Sequence, residues 1–493
     1  MNFKLGFLSQ LSLSPLDRAA WGAIGFFMVL LGIILVVGNR NSPRVVEFSW
    51  ENHTLSLEDE AFTLTFNRPM DWETVRENLT ITPELPGKMS YQGRRFAYTL
   101  TDLPLYGTEY RIELKGALER PLDPNRTAQE LSSFSANVRT RDLAFAYLGV
   151  EGEERGRLVL YNVTQARKFI LTPPDLIVTN FRPHPSGEFI TFSAYDRATD
   201  QGVAAQQVYK VTTGLHHGGG TNTATYGRLT RILDAADYQN LNFEMATQGE
   251  TIVIERVNRR NPSDQGVWVV PPGENPRPLG MQGSSFRVSP DGRMVAIAQR
   301  QGVNLISLTP DGEAWRFFPD YIRVLGFSQE SYPRLLLVRD NRDLTQSLVL
   351  LGRNQTQQEI LSTRGQILDC VFEPRQQELL YCIRTEPLDS NQTQEQIFLT
   401  LIDLETATDI PLVALANDPN VKISISPDGR NLLFDQVSSE RDPQEQNRRN
   451  QDRAIASGNL WLLTLPDLIE NPDSAELIPP ERLTPGLDPQ WLR

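Results

Sequence analysis

The two cysteines, Cys370 and Cys382, are the side chains whose type and spacing most directly admit chemistry. They fall on the two strands of one expected hairpin, with Glu373-Pro374-Arg375-Gln376-Gln377-Glu378 between them. A register that sets them opposite each other allows a disulfide, although the cross-strand geometry is demanding. Two reduced thiols in a core that favours cysteine is the other reading, and both stay open here. A bonded pair would point to an oxidising compartment. With only two cysteines, a disulfide-dense scaffold and a zinc site of several thiolates are excluded.

The four histidines, His53, His184, His216 and His217, offer little for metal chemistry. His216 and His217 lie in GLHHGGGTNTATYG, a run of glycine, threonine and asparagine without acidic neighbours, which reads as a loop rather than a metal site. The polar stretch SSERDPQEQNRRNQDRAIAS, with Arg448 and Arg449, reads as a long exposed loop between two strands. Both loops are candidate partner contacts. No Gly-x-Ser-x-Gly elbow and no phosphate-binding glycine loop occurs, so catalytic, cofactor and metal residues are expected to be absent.

Charge narrows the partners. Net charge is −13, and Lys4, Arg18 and Arg40 against Asp17 give residues 1–40 a charge of +2, leaving −15 for the rest. Binding to a phosphate backbone needs clustered Lys and Arg, so nucleic acid is excluded.

Three kinds of element must carry these residues. Ala19 to Gly38 is twenty residues without a charge, and as a helix it would cover the roughly 30 Å of a bilayer's hydrocarbon core. It is expected to be a transmembrane anchor. Lys4 and Arg18 on one flank are matched by Arg40 and Arg44 on the other, so charge leaves its orientation tied.

Strict alternation follows, as in Phe62-x-Leu64-x-Phe66, Phe96-x-Tyr98-x-Leu100 and Tyr110-x-Ile112-x-Leu114, which predicts half-buried strands over about residues 43–141. Within it, AFTLTFNRPMDWETVRENLTITP and LPLYGTEYRIEL resemble the Ig-like domains of bacterial S-layer and envelope proteins. That resemblance implies a β-sandwich acting as an exported spacer or adhesive module.

The remaining chain repeats itself. FRVSPDGRMVAIA, ISISPDGRNLLFD and FRPHPSGEFITFS are copies of one hairpin, and weaker copies begin near Asn242, Leu325 and Cys370. Such self-similarity signals a propeller. Asp291 and Asp428 are assigned to tight turns, since Asp-Gly after Pro is what such a turn requires. Strands at Leu143–Leu148, Arg157–Tyr161 and Lys168–Leu171 lack an inner partner, and Asp488–Arg493 is an inner strand without a blade. Joining them closes a ring of seven blades, with six the alternative, and leaves no open edge. The S-P-D-G hairpins resemble the WD40-like repeats of TolB-type periplasmic propellers over 143–493, which implies a scaffold for partner proteins.

The expectation is thus an all-β chain with one transmembrane helix: a cytoplasmic 1–18, an anchor 19–38, a sandwich 43–141 and a propeller 143–493 outside the cytoplasm, in the periplasm or an equivalent space. Its expected role is non-catalytic recognition of another membrane or envelope protein. Two rival readings are a polysaccharide-binding module, with Trp268, Trp315 and Trp461 as candidate aromatics, and a hydrolase or lyase built on the central channel.

Overall fold

The computed structural model describes residues 21–30, 42–121, 126–215, 225–283, 285–309, 312, 316–352, 356–388, 395–416, 419–437, 457–465 and 479–492. The expectation of a membrane-spanning helix over 19–38 is corrected: among the described residues no helix is long and apolar enough to cross a membrane. Residues 21–30 are helical. The rest of that run lies outside the described residues.

Contacts divide the chain into two units, one of 1–51, 60–102 and 110–138, the other of 52–59, 103–109 and 139–493. In the first, Val45–Phe48, Ala61–Phe66, Arg95–Leu100 and Gly87–Gln92 form one four-stranded sheet in that order. A second sheet has the order Thr54–Leu55, Phe134–Thr140, Glu109–Leu114, Leu79–Thr82. The alternation places Phe62, Leu64, Phe66, Phe96, Ile112 and Leu114 inside. Between two strands the Pro69-Met70-Asp71 motif starts the helix Trp72–Asn78, whose first turn is capped by the Asp71 carboxylate accepting from Glu73 N at 3.2 Å.

The second unit holds seven four-stranded antiparallel sheets. Each of six begins with an innermost strand: Leu176–Pro183, Tyr238–Met245, Ser285–Val288, Tyr321–Phe327, Ile367–Phe372 and Ile423–Ile425. These are the second to seventh blades. In the first blade Ala144–Leu148, Leu158–Asn162 and Arg167–Ile170 are completed by Leu487–Trp491 from the other end of the chain. The propeller is therefore a closed ring of seven, and Trp491 is buried edge-on against Phe145, with ring centroids 5.3 Å apart.

The tight turns follow from local chemistry. Ser289 Oγ donates to Asp291 Oδ1 at 2.6 Å, Arg293 N donates to the same oxygen at 3.0 Å, and Gly292 takes φ +69°. Ser426, Asp428 and Gly429 repeat the pattern. Both aspartates are thus turn formers. Because strands alternate in direction, all the first-to-second turns emerge at one end of the ring, called here the turn end. The second-to-third connections emerge at the opposite end.

Candidate functional site

Apolar contacts fill the spaces between blades, so the seven inner strands turn their polar side chains to a central cavity of about 770 Å3. Each inner strand, or the residue just before it in the seventh blade, carries one charged side chain: Asp488, Arg182, Glu244, Arg287, Arg323, Asp369 and Lys422 in ring order. All but Arg323 line the cavity. Four cations and three carboxylates thus surround an axis, alternating except where Arg287 and Arg323 are neighbours, inside a chain that is strongly acidic overall.

Many of these groups tie neighbouring blades together. Arg182 Nε and Nη2 donate to the two Glu244 oxygens at 2.8 and 2.7 Å, and Arg287 Nη1 reaches Glu244 Oε1 at 3.2 Å. Arg287 Nε continues to Leu325 O at 2.9 Å, and Arg323 Nη1 to Ile367 O at 2.8 Å. Gln490 Nε2 donates to Phe181 O at 3.1 Å, and Asn180 Nδ2 to Asn242 Oδ1 at 3.1 Å. Between the sixth and seventh blades, Glu373 presses so close to Gly429 that a Cβ there would lie 2.0 Å from its Oε1. Burial alone would push the Glu244 carboxyl up, but the two guanidinium groups outweigh it and hold Glu244 below the usual carboxylate range. Burial opposes the charge of Arg182, yet Glu244 raises its pKa above the ordinary arginine value.

Asp435 joins the last blade to the closing strand. Its carboxylate accepts from Lys422 N and Asp488 N, each at 2.7 Å. Burial pushes its carboxyl up to about 6, against these two hydrogen bonds. Burial also raises Asp488, which accepts from the Gln490 amide at 3.2 and 3.3 Å.

At the turn end the segments 52–59 and 103–109 group with the propeller. Gly107 N donates to Arg141 O at 2.9 Å, and Arg141 Nη2 reaches Ser186 O on a turn at 3.4 Å. The Tyr106 hydroxyl is buried, and burial with the nearby Asp428 raises its pKa.

Cys370 and Cys382 are opposite each other in register, with Cα atoms 4.1 Å apart, and are joined as a disulfide in the sixth blade. His216, His217, Arg448 and Arg449 lie outside the described residues. The strand ends flanking the first pair, Thr212 and Leu229, bound a third-to-fourth connection at the turn end. Val437 and Gly458, flanking the second pair, bound a second-to-third connection, whose strand ends are at the opposite end. Trp268 stacks edge-on with Tyr238 at 5.0 Å and Trp461 packs on Phe434, so neither lines the cavity; Trp315 is outside the described residues. The charged ring was not picked out from the sequence, because its members stand at different distances before the hairpin turns: Arg182, Glu244 and Arg287 share one spacing, and Arg323, Asp369 and Lys422 do not. No group of three or more His, Cys, Asp or Glu placed to hold a metal occurs among the described residues.

No protein-family model and no curated protein matches the sequence, so the Ig-type resemblance of 43–141 is carried by its motif alone. Solved structures that align include AztD from Citrobacter koseri, at 12% identity over 71% of this chain and 97% of that one, with a TM-score of 0.40. TolB from Acinetobacter baumannii aligns at 10% identity over 85% and 84%, with a TM-score of 0.37. An oligogalacturonate lyase in complex with manganese aligns at 12% over 66% and 82%, with a TM-score of 0.38. Scores this low carry no argument, and the propeller assignment rests on the strand pairing described above.

Proposed function

We propose that this chain is a non-catalytic scaffold that recognises a protein partner with the end of its propeller opposite the tight turns. The observation that carries this reading is a set of large apolar side chains exposed at that end. Leu344 is 83% exposed, Leu388 61% and Val203 49%, each on a second-to-third connection, and Ile322 is exposed where the fifth inner strand begins. Scattered surface leucines need no explanation, but several around one rim mark an interaction surface. The turn end is less available, because Arg141, whose carbonyl accepts from Gly107 N, reaches Ser186 O there. The buried Glu244 carboxylate is committed to two arginines, which supports a structural role for it rather than proton transfer.

The partner belongs outside the cytoplasm in this reading, supported by the Cys370–Cys382 disulfide. The test is photo-crosslinking from a residue beside Leu344 in the native host. A protein crosslinked by the wild type and lost with Leu344→Glu plus Leu388→Glu is the expected result. The same crosslinks in the double variant, with its melting temperature unchanged, would overturn the reading.

A further inference from the structure

The bonds that join the blades leave one arc of the channel wall with spare capacity. Asp369, Lys422 and Asp488 stand on three consecutive blades, each two residues before a cavity-lining position, Val371, Ser424 and Gln490 respectively. All three line the same cavity, so they face one arc of its wall. The Lys422 ammonium makes no hydrogen bond or ion pair among the described residues, and it is exposed. Asp369 accepts one hydrogen bond, from Cys370 N at 3.0 Å. Asp488 accepts from the Gln490 amide. A cation flanked by two carboxylates therefore faces the cavity.

Such a pattern selects its complement. A simple anion meets Lys422 but is repelled by Asp369 and Asp488, and a simple cation meets the reverse. A group satisfying all three has a negative centre with hydrogen-bond donors on either side. The cavity's volume is that of a small-molecule site. Its aromatic lining residues, Phe327, Phe372 and Trp491, are buried and offer no open ring face, so polar contacts must hold the occupant. Room is left in the fifth blade, where Gly326 lines the cavity and a Cβ would meet nothing within 4 Å.

We propose that the channel binds a small carboxylate bearing hydroxyl or amino donors beside its carboxyl group, that is, a hydroxy or amino acid. Lys422 takes the carboxylate while Asp369 and Asp488 accept from the flanking donors. The site is separate from the apolar rim, and it stands whether or not that rim binds a protein.

The test is calorimetric titration of the full chain with D-gluconate and with L-serine, using glucose as the uncharged control. Binding of either acid but not glucose is expected, and which acid binds identifies the source of the shared chemistry. Lys422→Gln should weaken binding by about tenfold or more, as expected for loss of a charge-assisted hydrogen bond. Lys422→Arg should retain binding, and Gly326→Trp should abolish it by filling the channel. Melting curves of the Lys422 variants should match the wild type, which keeps the test valid even if Gly326→Trp perturbs folding. The proposal is overturned if neither acid binds, if glucose binds as tightly as gluconate, or if Lys422→Gln binds like the wild type.

Discussion

Glu244 receives Arg182 through both of its oxygens and Arg287 through one of them, so a single carboxylate holds the second, third and fourth blades together at the channel wall. Removing one partner of a buried ion pair is costly because the other charge is left without compensation. Glu244→Ala strands two arginines, one of them a quarter exposed, and should destabilise the propeller by about 3 kcal/mol. Glu244→Gln should cost less, since it keeps an acceptor. The Glu244 carboxyl is held below its unfolded value, so its contribution is present above about pH 4.5 and is lost as pH falls through the lower folded value. Chemical denaturation of both variants between pH 3 and 7 checks this, and equal stability of Glu244→Ala and the wild type at neutral pH would contradict it.

Asp435 shows the opposite dependence. Burial raises its carboxyl from 3.8 to about 6, so the folded state favours the protonated form. The stability it contributes is full below about pH 3.8 and is lost as pH rises through about 6. The change is at most about 3 kcal/mol at one pKa unit per 1.4 kcal/mol. Ionisation strengthens the bond Asp435 accepts from Asp488 N but leaves a charge buried beside the closing strand, so protection there should follow the fall in stability over the same interval. Hydrogen-exchange protection factors of residues 487–491, which correct for the base catalysis of exchange itself, should fall between pH 5 and 7 in the wild type. Asp435→Asn should remove that pH dependence, and an unchanged profile in the variant would sink the assignment.

How much of this was legible in the sequence differs from feature to feature. The turns at Ser289-Pro290-Asp291-Gly292 and Ser426-Pro427-Asp428-Gly429 are written locally, because hydroxyl, carboxylate and glycine make their bonds within five residues. Ring closure was also readable, since Gln490-Trp491 formed a strand without a blade and Ala144–Leu148 lacked an inner neighbour. The charged channel was not. Which side chains face inward depends on register, and bulges interrupt it, as between Tyr321 and Arg323 and between Val324 and Gly326. Trp461 was a candidate for an open channel face by residue type, whereas strand pairing turns it onto Phe434 between blades. For Ala19–Gly38 an uncharged run bounded by charges predicts a spanning helix, whereas no helix among the described residues is long and apolar enough to cross a membrane.

The disulfide gives a third prediction. Cys370 and Cys382 are buried on paired strands 12 residues apart. In denaturant without reductant a thiol reagent should label neither cysteine, and after reduction it should label both. Cys370→Ser plus Cys382→Ser should lower stability by about 2–3 kcal/mol, the range expected for so short a closed loop. Full labelling before reduction would show that the thiols are free.

The last prediction concerns the strand that closes the ring. Leu487–Trp491 pairs with Ala144–Leu148, and Trp491 fills the space beside Phe145 and Leu433 at the junction of the first and seventh blades. Trp491→Ala leaves a cavity there and should cost about 3–5 kcal/mol. Deleting residues 487–493 goes further, because it leaves the first blade three-stranded and turns Ala144–Leu148 into an unpaired, wholly apolar edge. Such an edge is a template for strand addition between molecules. The truncated chain should aggregate at concentrations where Trp491→Ala remains monomeric, as measured by light scattering. Addition of a peptide covering 487–493 should restore the monomer by supplying the missing strand in trans. Monomeric behaviour of the truncated chain without that peptide would show that closure of the ring does not depend on this strand.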